Sequence, residues 1–361
     1  MDVDAEQRLM VGWPDRRFLR LVGTELPIVQ APMAAAGGVA LCVAAMRGGA
    51  LGSLPCALIT AEQVRVQVAE ARSAASGPIN LNFFCHRMPE RVDDSAWRAL
   101  LQPYADEFGA EPGNGGALRL PFDAEMCAVV EELRPEVVSF HFGLPEPALL
   151  DRVKASGAIV IASATSVEEA RWLEQHGADA VIAQGFEAGG HTGRFLGADP
   201  AEAMGLFALL PQIVDAVPLP VIAAGGIGDG RGIAAAFTLG ASGVQLGTAF
   251  LHTPEAEISA AHRARLGQGR TVFTNLMTGG LARGVRGRLI DDLGPVRGEA
   301  PPYPMASAAL APIRAAAEKQ GESGFAPMWA GQAAPLGAAM PAADLTRKLA
   351  ADALAILSLA A

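Results

Sequence analysis

"AIVIASATSVEEARWLEQHGADAVIAQG", residues 158–185, decides the fold. It opens on an apolar run rich in Ile, Val and Ala, passes through a stretch of helical period over residues 166–176, and returns to an apolar run at Asp179. Strands buried on both faces read as continuous apolar runs, so this segment is one strand–helix–strand unit of a parallel sheet. The same grammar extends outward. "PIVQAP" at Pro27, "GALGSL" from Gly49, "PINLNFF" at Pro78 and "EVVSFHF" at Glu136 precede it, and "PVIAAGG" at Pro220 and "GVQLGT" at Gly243 follow. Helical stretches such as residues 61–71 and 229–239 join them. Eight strands within roughly 225 residues predict an α/β fold of the TIM (β/α)8 type. A doubly wound open sheet is the competing architecture, and the even spacing favours closure.

The spacing places the barrel over residues 1–255, with an insertion at about 86–120 that includes a loop-like "EPGNGG". Residues 256–361 read as a helical C-terminal extension packed on the barrel, and its last segment, "DLTRKLAADALAILSLAA", has one apolar face. Of 361 residues, 51% are apolar and 18% charged, which suffices for a large core. The net charge of -10 argues against nucleic acid and against an anionic membrane surface as partners. "MDVDAEQRLM" lacks the basic start and apolar core of a secretory signal, and no apolar run reaches membrane-spanning length, so a cytoplasmic protein is expected. The four cysteines have no CxxC spacing and the six histidines no metal-ligand spacing, so neither a disulfide framework nor a metal site is expected.

In such barrels the chemistry sits just after the strands. After the seventh strand, "AAGGIGDGRG" brings Gly225 and Gly226 before a helix start at Asp229 or Gly230, where unpaired N–H groups and the helix dipole suit a phosphate. After the eighth, Gly247 and Thr248 could complete the cradle; glycine-rich turns serving geometry alone are the competing reading. After the first strand, Ala31, Pro32 and Met33 bring a close backbone and a polarizable wall for a planar ring. Asn82 and Gln184 are amides in core-like surroundings, satisfied by a heteroaromatic edge or by a loop backbone. His141, in "SFHFG" at the end of the fourth strand, and His191, in "QGFEAGGHTG" after the sixth, read as a functional pair at the mouth, a satisfied structural role being the competing reading for either alone. Glu187 reads as a cap for loop N–H groups, and Arg87 and Arg283 as solvated surface arginines. No lysine follows any strand, which excludes a Schiff-base aldolase and favours flavin mononucleotide over a phosphosugar.

Together, "QAPMAAAGG", "SFHFG", "QGFEAGGHTG", "AAGGIGDGRG" and "VQLGT" resemble the signature segments of the nitronate monooxygenases. The resemblance spans about residues 25–255, with a weaker match at "MWAGQ", residues 328–332. It implies a TIM barrel holding non-covalent FMN. At the matched positions it implies flavin contacts from Ala31, Pro32, Met33, Asn82, Gln184, Gly189, Gly190, Gly225, Gly226, Gln245, Leu246, Gly247 and Thr248. It further implies His191 as catalytic residue, His141 as substrate-binding residue and no metal. The implied reaction oxidises an alkyl nitronate or nitroalkane with O2 to a carbonyl compound and nitrite, in a monomer or homodimer. The family's pocket tyrosines have no mapped counterpart here, since the chain holds only Tyr104 and Tyr303. The same segments also resemble FMN-dependent enoyl-acyl carrier protein reductases and NAD(P)H:quinone reductases, and a barrel that binds flavin without turnover is the non-enzymatic alternative.

Overall fold

The computed structural model describes residues 12–113, 118–197, 199–268 and 270–360. Its principal strands are β1 (Ile28–Gln30), β2 (Gly52–Pro55), β3 (Ile79–Phe84), β4 (Val137–His141), β5 (Ile159–Ala164) and β6 (Ala180–Gln184). A two-residue strand, β7 (Gly190–His191), precedes β8 (Val221–Ala224) and β9 (Gly243–Leu246), which are the seventh and eighth strands of the sequence pattern. The eight long strands run in the order β1-β9-β8-β6-β5-β4-β3-β2, every hydrogen-bonded pair parallel. The two ends of this sheet meet. Val29 bridges Leu51, Gln30 N donates to Leu51 O at 2.9 Å, and Leu51 N donates to Ile28 O at 2.9 Å. Closure leaves no free edge, and the expected TIM barrel is the observed fold.

Both faces of these strands are buried, as continuous apolar runs require; β2 and β8 are buried at every residue. Inside, Val29, Leu51, Val137, Ile161, Ile182 and Ile222 fill the lumen together with Phe18 and Val22 of the helix Arg17–Val22. The Phe18 ring lies against Gly243, the first residue of β9, so this helix plugs the N-terminal end. The opposite end stays open for function. The final helix, Ala342–Ala360, packs on the helices Gly230–Thr238 and Val39–Arg47, with Leu345, Leu349 and Ala353 in the barrel's outer core. It closes the barrel's outer layer, as its amphipathic pattern suggests.

Two features depart from the sequence pattern. The mainly helical C-terminal region also contains a hairpin, β10 (Thr271–Thr274) and β11 (Ala282–Val285). Strand β11 pairs antiparallel with β7, setting Ala282 opposite His191 and Arg283 opposite Gly190. In addition, the 86–120 insertion carries a helix, Ser95–Phe108, whose Trp97, Leu101 and Phe108 share a second core with Leu289, Leu310, Ile313 and Phe325. Asn114 to Ala117, which include the "NGG" of the loop-like "EPGNGG", lie outside the described residues.

Trp97 anchors that second core: it is fully buried and its Nε1 donates to Ala306 O at 3.1 Å. Trp97→Ala removes a large buried ring and orphans that carbonyl, at a cost of about 3–5 kcal/mol. Amide hydrogen exchange should quicken over Ser95–Phe108 while strands β3 to β6 keep their protection; equal loss in both would show that the two cores unfold as one.

Candidate active site

A cavity of about 340 Å³ opens at the C-terminal end of the barrel. Its walls include Ala31, Pro32, Met33, Asn82, His141, Gln184, Gly189, Gly190, His191, Gly225, Gly226, Gln245, Gly247 and Thr248. Of the residues singled out from sequence for cofactor or substrate, Leu246 alone stands apart. Its side chain is fully buried in the barrel's outer core, and its carbonyl accepts from Ala31 N at 2.9 Å.

His191 is 8% exposed. Its Nε2 lies 2.9 Å from Thr278 Oγ1, and that hydroxyl is 3.4 Å from Gly280 O. A threonine hydroxyl that donates to the carbonyl must accept from Nε2–H, which leaves Nδ1 as the free lone pair. Nδ1 has no hydrogen-bond partner among the described residues, and His191 lines the cavity. Burial, and the positive charge of Arg119, hold this imidazole well below its ordinary pKa, so it is neutral at physiological pH.

The backbone of His191 is braced from several sides. Its carbonyl accepts from His141 Nε2 at 3.1 Å and from Gln184 Nε2 at 3.0 Å, while Gln184 Oε1 accepts from Gly193 N at 2.6 Å. A carbonyl only accepts, so the His141 proton sits on Nε2, and Nδ1 accepts from Ser163 Oγ at 3.2 Å. Both nitrogens of His141 and both amide atoms of Gln184 are thus engaged within the protein, although each residue lines the cavity. Asn82 Nδ2 likewise donates to Ser139 Oγ at 2.9 Å. For Gln184 and Asn82, bonding to neighbouring protein groups accounts for the buried amide nitrogens. Beyond β4, Phe142 takes the left-handed conformation with φ 68°. That uncommon turn for a bulky residue sets its ring against His141 at 4.5 Å and near Tyr303 at 5.3 Å.

Glu187 accepts from Leu206 N at 2.9 Å with both oxygens, and so caps the helix Leu206–Ala216 as expected. Gly189 lines the cavity and is also closely backed by the chain. A Cβ there would stand 2.5 Å from Gly331 N and 2.6 Å from Ala330 C, so the glycine admits the "MWAGQ" segment. That segment is tied in further by Gly331 N donating to Thr248 Oγ1 at 2.9 Å and Gln332 N to Glu187 O at 2.9 Å. The helix after β8 starts at Gly230, but its first amides are occupied: Asp229 Oδ1 accepts from Arg231 N at 3.0 Å and Gly232 N at 3.4 Å. Gly225, Gly226, Gly247 and Thr248 line the cavity beside that helix start. Gly225 and Gly226 turn there at φ 102° and 68°, conformations that suit glycine.

Arg283 is not a surface residue. It is 3% exposed, its guanidinium lies 4.6 Å and 4.2 Å from the ring centres of Phe186 and Phe273, and it donates to Phe186 O at 2.9 Å. It clamps the loop that leads to His191. Arg87 is exposed, as expected. Sequence reasoning passed over Arg119, Thr278, Tyr303 and Trp329, which surround His191 from the insertion and the C-terminal region. Tyr303 and Trp329 stand 5.0 Å and 5.4 Å from the His191 ring. The "MWAGQ" match was the one signal that pointed to any of them.

Burial pushes the His141 pKa down to about 4. Because the folded value lies below the unfolded one, the unfolded chain takes up protons that the native protein refuses. The associated stability is complete above pH 6.5 and is lost as pH falls toward 4, by at most about 1.4 kcal/mol per pH unit for each such histidine. Melting temperature measured against pH should be flat near neutrality and fall through this window, with a shallower fall in His141→Gln. An unchanged slope in that variant would remove His141 from the acid response.

Residues 16–352 match the family model for nitronate monooxygenase. Nitronate monooxygenases of Pseudomonas aeruginosa and Paraburkholderia phytofirmans are each 42% identical, over 92% of this chain and 97% and 94% of theirs. The solved structure of nitroalkane oxidase from Streptomyces ansochromogenes superposes with a TM-score of 0.87 at 36% identity, covering 96% of this chain and all of that one. FabK from Thermotoga maritima is more distant, with a TM-score of 0.72 at 27% identity over 96% and 98%. Similarity of this extent to named relatives, reaching from the plug helix to the last helix, shows that the chain belongs to the nitronate monooxygenase family.

Proposed function

We propose that this protein is an FMN-dependent nitronate monooxygenase that converts an alkyl nitronate and O2 to a carbonyl compound and nitrite. The observation that carries this reading is His191 itself: a buried, neutral imidazole whose Nδ1 is unpartnered and lines a cavity suited to a planar cofactor. The cavity fits FMN in its chemistry. Gln245 Oε1 is buried without a partner and asks for a donor such as a flavin ring nitrogen. Ala31 to Met33 form an apolar wall, and Gly225, Gly226, Gly247 and Thr248 offer close backbone to a phosphate.

When bound, FMN would supply the electron acceptor for the substrate and the site at which O2 takes those electrons up. The chain's own residues do the rest. His191 Nδ1 takes the α-proton of a neutral nitroalkane, whereas a nitronate arrives deprotonated and needs only a neutral polar neighbour. His141 and Gln184 hold the His191 carbonyl so that the ring keeps one direction. Phe142, Tyr303 and Trp329 screen the reacting region from water, which strengthens each polar contact inside. The likeness to FabK makes enoyl reduction with a nicotinamide donor the second reading.

Anaerobic mixing separates the two: propionate-3-nitronate should bleach the flavin, and bleaching by NADH alone would overturn the proposal. His191→Asn should retain bound flavin yet lose activity on neutral nitroethane by about 10²–10⁴-fold, the usual worth of a positioned base. Full turnover of nitroethane by that variant would take His191 out of the role.

A further inference from the structure

Outside the residues that the sequence brought forward, the mouth of the barrel holds polar groups that the protein leaves unpaired. Arg119, at the end of the 86–120 insertion, is 9% exposed and lines the cavity. Among the described residues no carboxylate pairs with it; its charged neighbour is Arg314, and Tyr303 is the acidic group nearest in effect. None of the cavity's carboxylates forms an ion pair with Arg119 among the described residues. Glu187 caps Leu206 N at 2.9 Å, Glu318 faces Arg314 at 3.9 Å, and Glu257 stands against Gly38. Around Arg119 two more polar groups lack partners. Tyr303 Oη is buried without a hydrogen bond. Both ring nitrogens of His86 also lack a well-formed one, the Arg119 backbone lying close without completing it. The two rings meet edge to face at 4.7 Å, and Tyr303 lies 5.0 Å from His191.

A desolvated guanidinium without a counter-charge is costly, and two further orphaned polar groups beside it add to that cost. The cost disappears when an anion docks. We propose that Arg119, with Tyr303 Oη and His86, forms a receptor beside His191 for a planar two-oxygen anion of the substrate, and that Arg119 sets the preference for anionic nitronates over neutral nitroalkanes. This rests on the nitronate reading of the site above. The guanidinium fork matches such an anion bidentately, and the tyrosine and a neutral histidine each have an N–H or O–H to donate. The anion is either the nitronate group or a carboxylate carried beside it. Either way, docking offsets the Arg119 charge, which after burial is the next cause of the lowered His191 pKa.

The flavin-loaded full chain, Arg119→Gln and Arg119→Lys would be compared in two measurements. Calorimetric titration with propionate, an unreactive carboxylate, should show affinity falling at least about tenfold in Arg119→Gln and less in Arg119→Lys. Steady-state kinetics should show KM for nitronates rising by a similar factor with kcat within about threefold, and KM for nitroethane unchanged. A rise with ethyl nitronate assigns the fork to the nitronate group; a rise confined to propionate-3-nitronate assigns it to the carboxylate. If Arg119→Gln keeps wild-type melting temperature and flavin content and shows unchanged KM for both nitronates, the receptor is overturned. Should that variant lose its flavin, Arg119→Met decides by the same criterion. Arg119-dependent propionate binding in a wild type that fails to oxidise any nitronate would support the receptor while sinking the functional reading.

Discussion

The carbonyl oxygen of His191 accepts from two side chains at once, His141 and Gln184, and the arrangement of the barrel mouth turns on that oxygen. Each bond adds only about 1 kcal/mol net, but leaving any of these buried groups unpaired costs more, so the set forms together or not at all. His141 reaches the carbonyl because Ser163, on the neighbouring strand β5, supplies the proton for its other nitrogen. Gln184 reaches it because β6 ends there, and the same amide catches Gly193 on the far side of the loop. Strand β11 then fixes the loop from outside the barrel. With the backbone fixed from three directions, the imidazole has little freedom left.

Satisfied and unsatisfied polar groups divide the mouth. Toward the barrel wall, Asn82, Ser139, Ser163, Gln184 and His141 answer one another. Gln245, which lines the cavity, leaves its Oε1 without a partner among the described residues, and so do the buried Tyr303 Oη and His86 ring nitrogens beside Arg119. A native interior tolerates few such groups. The Tyr303 ring lies 4.7 Å from His86 and 5.0 Å from His191, whereas Gln245 stands on β9 of the barrel.

The barrel was legible because buried parallel strands have a plain signature: eight apolar runs with helical stretches between them. The residues after those strands were legible for the same reason, since position in the repeat assigns them to the mouth. Leu246 escaped this logic because a strand's last residues alternate between lumen and wall, and it falls on the wall side between Gln245 and Gly247. Strand β7 was invisible because two residues carry no period. Arg119 lies at the far end of the insertion between β3 and β4, and Tyr303 beyond the last barrel strand, so position in the repeat places neither; the second core, with Trp97 and Leu310, joins the two regions. Arg283 misled in the opposite direction. Two phenylalanines distant from each other in sequence stack on it, a contact that no local pattern reveals.

The pairing of β7 with β11 has a consequence for the order in which the molecule is made. Synthesis runs from the N-terminus, and the ninth strand closes the barrel when residue 246 has emerged. At that moment the loop at Gly190–His191 still lacks Ala282, Arg283 and the 330–331 backbone that Gly189 receives. The loop that bears His191 therefore takes its final form only after the barrel strands have been made, once residues 282–331 have emerged to pack against it.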